Sequence, residues 1–121
     1  MSMKEAIPQA KRIHILEEVK QEQERQVKKW GIQNHPDYTV LGLLPPSLPV
    51  MMNATADNAK YICDVKFKNG KVSWNDIFVE EALEASEEAK LGNTAALREE
   101  LIQVAAVACS WVDAIDRRGV A

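Results

Sequence analysis

A chain of 121 residues with a formal net charge of −3 has the length of one domain, 1–121, and room for a modest core. Its apolar fraction of 46% is that of a soluble globular protein. Near-neutral charge argues against broad electrostatic binding to a nucleic acid polymer, which needs clustered Lys and Arg, but not against a single nucleotide whose phosphates a metal ion neutralises.

The opening Met1-Ser2-Met3-Lys4-Glu5-Ala6 lacks the apolar stretch of a secretory signal. No apolar run reaches the roughly 20 residues that cross a bilayer, so a cytoplasmic protein without a membrane partner is expected. Cys63 and Cys109 form no CxxC pair, which argues against a thiolate zinc site. Cys109 closes the run Val104–Cys109 and reads as a small buried hydrophobe.

In chain order, a first helix is predicted from about Ile13 to Trp30, a stretch rich in Glu, Gln, Lys and Arg and free of Gly and Pro. Its apolar positions Ile13, Leu16 and Val19 are separated from Val27 and Trp30 by the polar stretch Gln21–Gln26. That middle is either exposed or faces a polar site. Gly31 suits a left-handed cap, and Gln33-Asn34-His35-Pro36-Asp37 is turn chemistry. From Tyr38 to Asn53, Pro45, Pro46 and Pro49 forbid a regular helix or central strand and predict an ordered apolar loop.

Thr55 or Asp57 is placed to cap a second helix from Ala56 to about Lys68. There, however, Cys63, Val65 and Phe67 alternate with charged residues ahead of Asn69-Gly70, so periodicity leaves hairpin and helix equally open. Ser73 with Asp76 resembles a capping box and starts a helix from Trp74 to about Leu91, ended by Gly92. Asn93 or Thr94 begins the last helix, which runs to about Arg117 with the stripe Leu97, Leu101, Val104, Ala108, Trp111, Ile115.

The informative feature is Glu80-Glu81-Ala82-Leu83-Glu84, followed after a short gap by Glu99-Glu100-Leu101-Ile102-Gln103. On a helix Glu81 and Glu84 share a face, and Glu88 continues it. Ile77 lies one turn before Glu81, and Glu100 sits beside Leu97, Leu101 and Val104, so these acids do not lie plainly on a solvent face. The short Gly92 turn makes the two helices antiparallel neighbours. Like charges so gathered repel unless a hard dication lies between them, and Mg²⁺ prefers such oxygen ligands. The plainer reading is a solvated acidic face paired with Lys90 and Arg98.

EExxE, a spacer, then ExxD is the signature of MazG-like and related all-α NTP pyrophosphohydrolases, and this chain resembles it at Glu80, Glu81 and Glu84, then Glu100. Glu99 to Val107, and Lys29-Trp30-Gly31-Ile32-Gln33-Asn34-His35-Pro36-Asp37, also look like the phage and actinobacterial branch. The resemblance spans roughly Glu24–Asp37 and Ser73–Arg118. One position departs: the final Asp is Gln103, whose carbonyl oxygen brings less charge.

The resemblance implies an all-α bundle of about four helices with a Pro-rich loop, helical over Ala56–Lys68. It also implies a homodimer or homotetramer and Mg²⁺-dependent hydrolysis of nucleoside triphosphates to monophosphate and pyrophosphate, as in nucleotide-pool house-cleaning or phage nucleotide metabolism. A phage-encoded chain would work in the host cytoplasm. The expected metal ligands are Glu81, Glu84, Glu100 and Gln103, for Mg²⁺ with Mn²⁺ as an alternative. The expected catalytic acids are Glu80, Glu81 and Glu84, with Glu80 orienting the attacking water.

Lys29 and Lys60 are candidates to meet phosphate, as is Lys28, and Trp30 and Trp74 are candidates to stack on a base. Each has an ordinary structural reading as surface charge or core. His35 is first a turn residue and only second a proton carrier. Asn34 and Asp37 are turn-stabilising groups before they are nucleotide contacts. Two rivals stand beside the enzyme: a module that captures a nucleotide or nucleotide signal without cleaving it, and a helical bundle with merely superficial acids.

Overall fold

The computed structural model describes residues 8–39 and 55–118, and the described part is all-α. Four helices follow in order: α1 (Gln9–Trp30), α2 (Ala56–Lys68), α3 (Trp74–Leu91) and α4 (Thr94–Arg117). Most of the Pro-rich stretch predicted as an ordered loop lies outside the described residues. Among those described, no helix is long and apolar enough to cross a membrane.

The helix ends follow local chemistry. Helix α1 begins four residues earlier than predicted, where the Pro8 carbonyl accepts from Lys11 N and Arg12 N at 3.0 and 3.1 Å. Gly31 closes it at a φ of 75°, a value that favours glycine. The Thr55 hydroxyl caps α2 by accepting from Asn58 N at 3.1 Å, and the Glu87 carboxylate on α3 accepts from Ala56 N at 2.9 Å. The second contact is a cap supplied by tertiary structure.

Ala56–Lys68 is helical and the hairpin alternative falls. Asn69-Gly70 serves as a helix terminus, with Gly70 N bonded to the Phe67 carbonyl at 3.1 Å and Lys71 N to the Lys66 carbonyl at 2.7 Å. The alternation of Cys63, Val65 and Phe67 does not mark two faces of a strand. Cys63 and Lys66 are buried, three apart on one helical face, and Phe67 is 66% exposed.

The predicted box at the start of α3 forms fully. Asp76 N donates to the Ser73 hydroxyl at 3.2 Å, and Ser73 N donates to Asp76 Oδ2 at 2.9 Å. The other Asp76 oxygen accepts from Lys66 Nζ at 2.9 Å, and the same ammonium donates to the Thr39 carbonyl at 2.9 Å. Lys66 thus ties α2 and the chain before it to the first turn of α3. Charge alone makes Lys66 a surface residue, but this pairing permits its burial.

Helices α3 and α4 form the central pair; α1 packs on α4 and α2 on α3, while α1 and α2 do not pack on each other. The core gathers Trp74, Val107 and Ala114, with Ile77, Phe78 and Trp111 against them. The stripe predicted for α4 is therefore off-centre: Leu101 and Ile115 are exposed, whereas Ala106, Val107 and Ala114 are buried. Helix α4 serves two neighbours, and small residues fill the positions of close approach. Cys109 is exposed, contrary to the expectation of burial. At about 100° per residue it points roughly a third of a turn away from that buried set.

Candidate metal and nucleotide site

Helices α3 and α4, joined by the Gly92 turn, bring Glu81, Glu84 and Glu100 together. One carboxylate oxygen from each lies within 4.8 Å of the others, and all three side chains are half-buried. Glu81 Oε2 and Glu100 Oε2 are buried without a hydrogen-bond partner, as is Glu88 Oε2 one turn along α3. Arg98, one of the two bases expected to neutralise these acids, instead binds Glu18 of α1 at 2.7 Å.

Glu81, Glu100 and the neighbouring Glu80 resist ionisation. Burial, followed by the charges of Glu84 and Glu100, pushes Glu81 up to about 8. Burial, followed by a hydrogen bond with Glu84 and its charge, pushes Glu100 up to about 7. Glu80 is also raised, chiefly by burial, against an opposing hydrogen bond from the Cys63 thiol. The three-oxygen donor set and the unpartnered buried oxygens fit a hard dication, which satisfies lone pairs and offsets charge together.

Beside the triad, a cavity of about 830 Å³ opens between α1 and α2, within the range of small-molecule sites. Glu80, Glu81, Gln103, Lys29, Trp30, Lys60 and Trp74 all line it. The predicted site residues therefore meet in one place: Glu81, Glu84 and Glu100 converge on one point, and the rest form the adjoining wall. Lys28 does not line the cavity.

The two tryptophans differ. Trp30 is 58% exposed and lines the cavity, with Lys29 Nζ over its ring at 4.8 Å from the centre. Trp74 is 2% exposed and stands edge-on to His35 at 5.1 Å, so it is as much core as wall.

The wall residues of α1 that went unrecognised in the sequence are Arg25, Gln26 and Glu22. Their signal was the polar middle of α1, which faces the cavity. Cys63 also lines it, its thiol pushed up to about 12 by burial and then by the charge of Glu80. Burial lowers His35 below its ordinary value.

The turn carrying His35 is clamped from two sides. Trp74 N and Asn75 N donate to the Pro36 and Asp37 carbonyls at 2.9 and 3.1 Å. From the end of α4, Trp111 Nε1 donates to Asp37 Oδ1 at 2.8 Å, Arg117 to Asn34 Oδ1 at 2.6 Å, and Arg118 to both Asp37 oxygens. The Arg118 guanidinium, then the Trp111 indole, hold Asp37 at about 2. Asn34 and Asp37 thus serve structure, fixing the wall that presents Trp30 and His35.

Comparison with protein-family models, characterised proteins and solved structures returned no match. The local arrangement of α3 and α4 and the cavity chemistry are what speak to function.

Proposed function

We propose that this chain is a MazG-like nucleoside-triphosphate pyrophosphohydrolase, dependent on Mg²⁺ or Mn²⁺ and acting as a homodimer or homotetramer. The observation that carries the reading is the convergence of Glu81, Glu84 and Glu100 from two helices, with buried oxygens that lack partners, beside a cavity lined by Lys29, Lys60 and Trp30. An acidic face serving only solubility would be exposed and paired with nearby bases.

Glu81, Glu84 and Glu100 would hold the metal, with Gln103 adding a neutral oxygen. When bound, Mg²⁺ supplies charge neutralisation for phosphate and makes nearby water more acidic. Glu80 accepts a hydrogen bond from the attacking water and orients its oxygen toward the α-phosphorus. A bond forms between that oxygen and phosphorus as the bond to the bridging oxygen breaks, in line, and the water's proton passes to the Glu80 carboxylate, releasing pyrophosphate and the nucleoside monophosphate. Lys29 and Lys60 meet the phosphate tail, and the Trp30 face stacks on the base.

The test is pyrophosphate release with Mg²⁺ over a panel of canonical and modified NTPs and dNTPs. Glu84→Gln abolishes turnover with helicity unchanged; wild-type release from that variant refutes the assignment. One observation favours a second reading. Gln103 stands where the resembled signature has Asp, which weakens the metal set and suits a module that binds a nucleotide without cleaving it. Metal-dependent binding with no product over the whole panel would select that reading.

A further inference from the structure

The cavity has two chemically distinct walls. Glu80 and Glu81 of α3 lie on one, and the other is built by α1 and α2, helices that do not pack on each other. From α1 come Arg25 and Lys29, four residues apart and so on one face, with Glu22; from α2 come Lys60 and Asp64, so that three bases face two acids on this wall, whereas the α3 wall carries acids alone. Among the described residues Arg25 is weakly engaged, its one ion pair being a 3.4 Å approach to Glu22 with the Arg25 side chain 63% exposed. Among the described residues, Lys29 and Lys60 form no ion pair. By contrast Arg98, Arg117 and Arg118 are held at short range by Glu18, Asp113 and Asp37.

We propose that Arg25 is a specificity-determining residue that selects the polyphosphate tail, an inference that rests on the nucleotide reading above. A ligand complementary to both walls is an anion that carries a dication, and a phosphate chain is one. The planar guanidinium offers two parallel N–H donors matched to two phosphate oxygens, whereas Lys29 and Lys60 act as point charges. Along α1 the wall runs from Trp30 through Lys29 and Arg25 to Glu22, about 12 Å at 1.5 Å per residue. That length accommodates a base at the Trp30 end with its phosphates extending toward Arg25. The arrangement discriminates against ligands without a polyphosphate, such as the nucleoside.

The test is calorimetric titration of the full chain with magnesium pyrophosphate, a probe that contains the tail alone. The wild type binds it. Arg25→Gln weakens binding about tenfold, as expected for loss of one charge-assisted contact. Arg25→Lys recovers part of that loss, and the salt dependence of Arg25→Gln is shallower than that of the wild type. Arg25 is an exposed helix position, so the circular dichroism of both variants matches the wild type. Pyrophosphate affinity of Arg25→Gln within twofold of wild type overturns the inference, as does failure of the wild type to bind at millimolar pyrophosphate. Turnover measured in parallel separates the two readings: wild-type NTP hydrolysis alongside either overturning result sinks the Arg25 assignment alone. No turnover and no pyrophosphate binding sinks both.

Discussion

Replacing Glu81 by Gln should make the metal-free protein more stable at pH 8 and remove its response to Mg²⁺. The three carboxylates offer oxygens within 4.8 Å of one another. At that separation two full charges repel by about 3.5 kcal/mol with an effective dielectric constant near 20, and by about 1 kcal/mol in water. Protonation relieves part of this. Glu81 is raised from 4.5 to about 8, which at face value corresponds to nearly 5 kcal/mol. Because the group is only half-buried, solvent screening reduces that to about 1–3 kcal/mol.

The sign follows from linkage. Between 4.5 and about 8 the folded protein keeps a proton on Glu81 that the unfolded chain has released, so metal-free stability falls as pH rises through that window. Glu81→Gln has no such proton to lose. It should come closer to the wild type at pH 5 than at pH 8, where it exceeds it by about 1–3 kcal/mol, or roughly 4–12 °C in Tm for a domain of this size. Thermal melts at pH 5 and pH 8, in chelator and in excess Mg²⁺, give the measurement. In the wild type Mg²⁺ raises Tm at pH 8 by binding the folded state, and in the variant that rise is lost. A variant less stable than wild type at pH 8 in chelator, yet stabilised by Mg²⁺ to the same degree, would refute the reasoning.

Two further outcomes follow from burial. Lys66→Met leaves the Asp76 carboxylate, 9% exposed, without its counter-ion, and should cost about 3 kcal/mol in urea unfolding; adding Asp76→Asn should restore part of that loss, and strictly additive costs would contradict a coupled pair. In the native protein a thiol reagent at pH 8 should modify exposed Cys109 quickly and Cys63, buried and raised to about 12, only slowly. Equal rates at the two thiols, read by mass spectrometry, would contradict the burial of Cys63.

Much of the fold was legible because helix ends are decided locally. Ser73 with Asp76, Thr55, Gly31 and Gly92 each satisfy or close a terminus within a few residues, and the alternation of good helix formers with these signals marks the elements. The hairpin alternative at Ala56–Lys68 had the same local standing as the helix. It falls because the helix buries Cys63 and Lys66 against α3, a packing gain no window of thirteen residues contains.

The carboxylates Glu81, Glu84 and Glu100 were visible as candidates, since their spacing and the short turn between helices follow from the chain alone. That their oxygens converge depends on how α3 lies against α4, and that Arg98 turns away to Glu18 depends on how α1 lies on α4. The polar middle of α1 showed only that something polar faced it; the cavity that assembles Arg25 with Lys60 and Glu81 exists because α1 and α2 pack on different members of the central pair. Local hydrogen bonding is short in range and readable in sequence, whereas repulsion among distant acids and the shape between non-touching helices are properties of the packed whole.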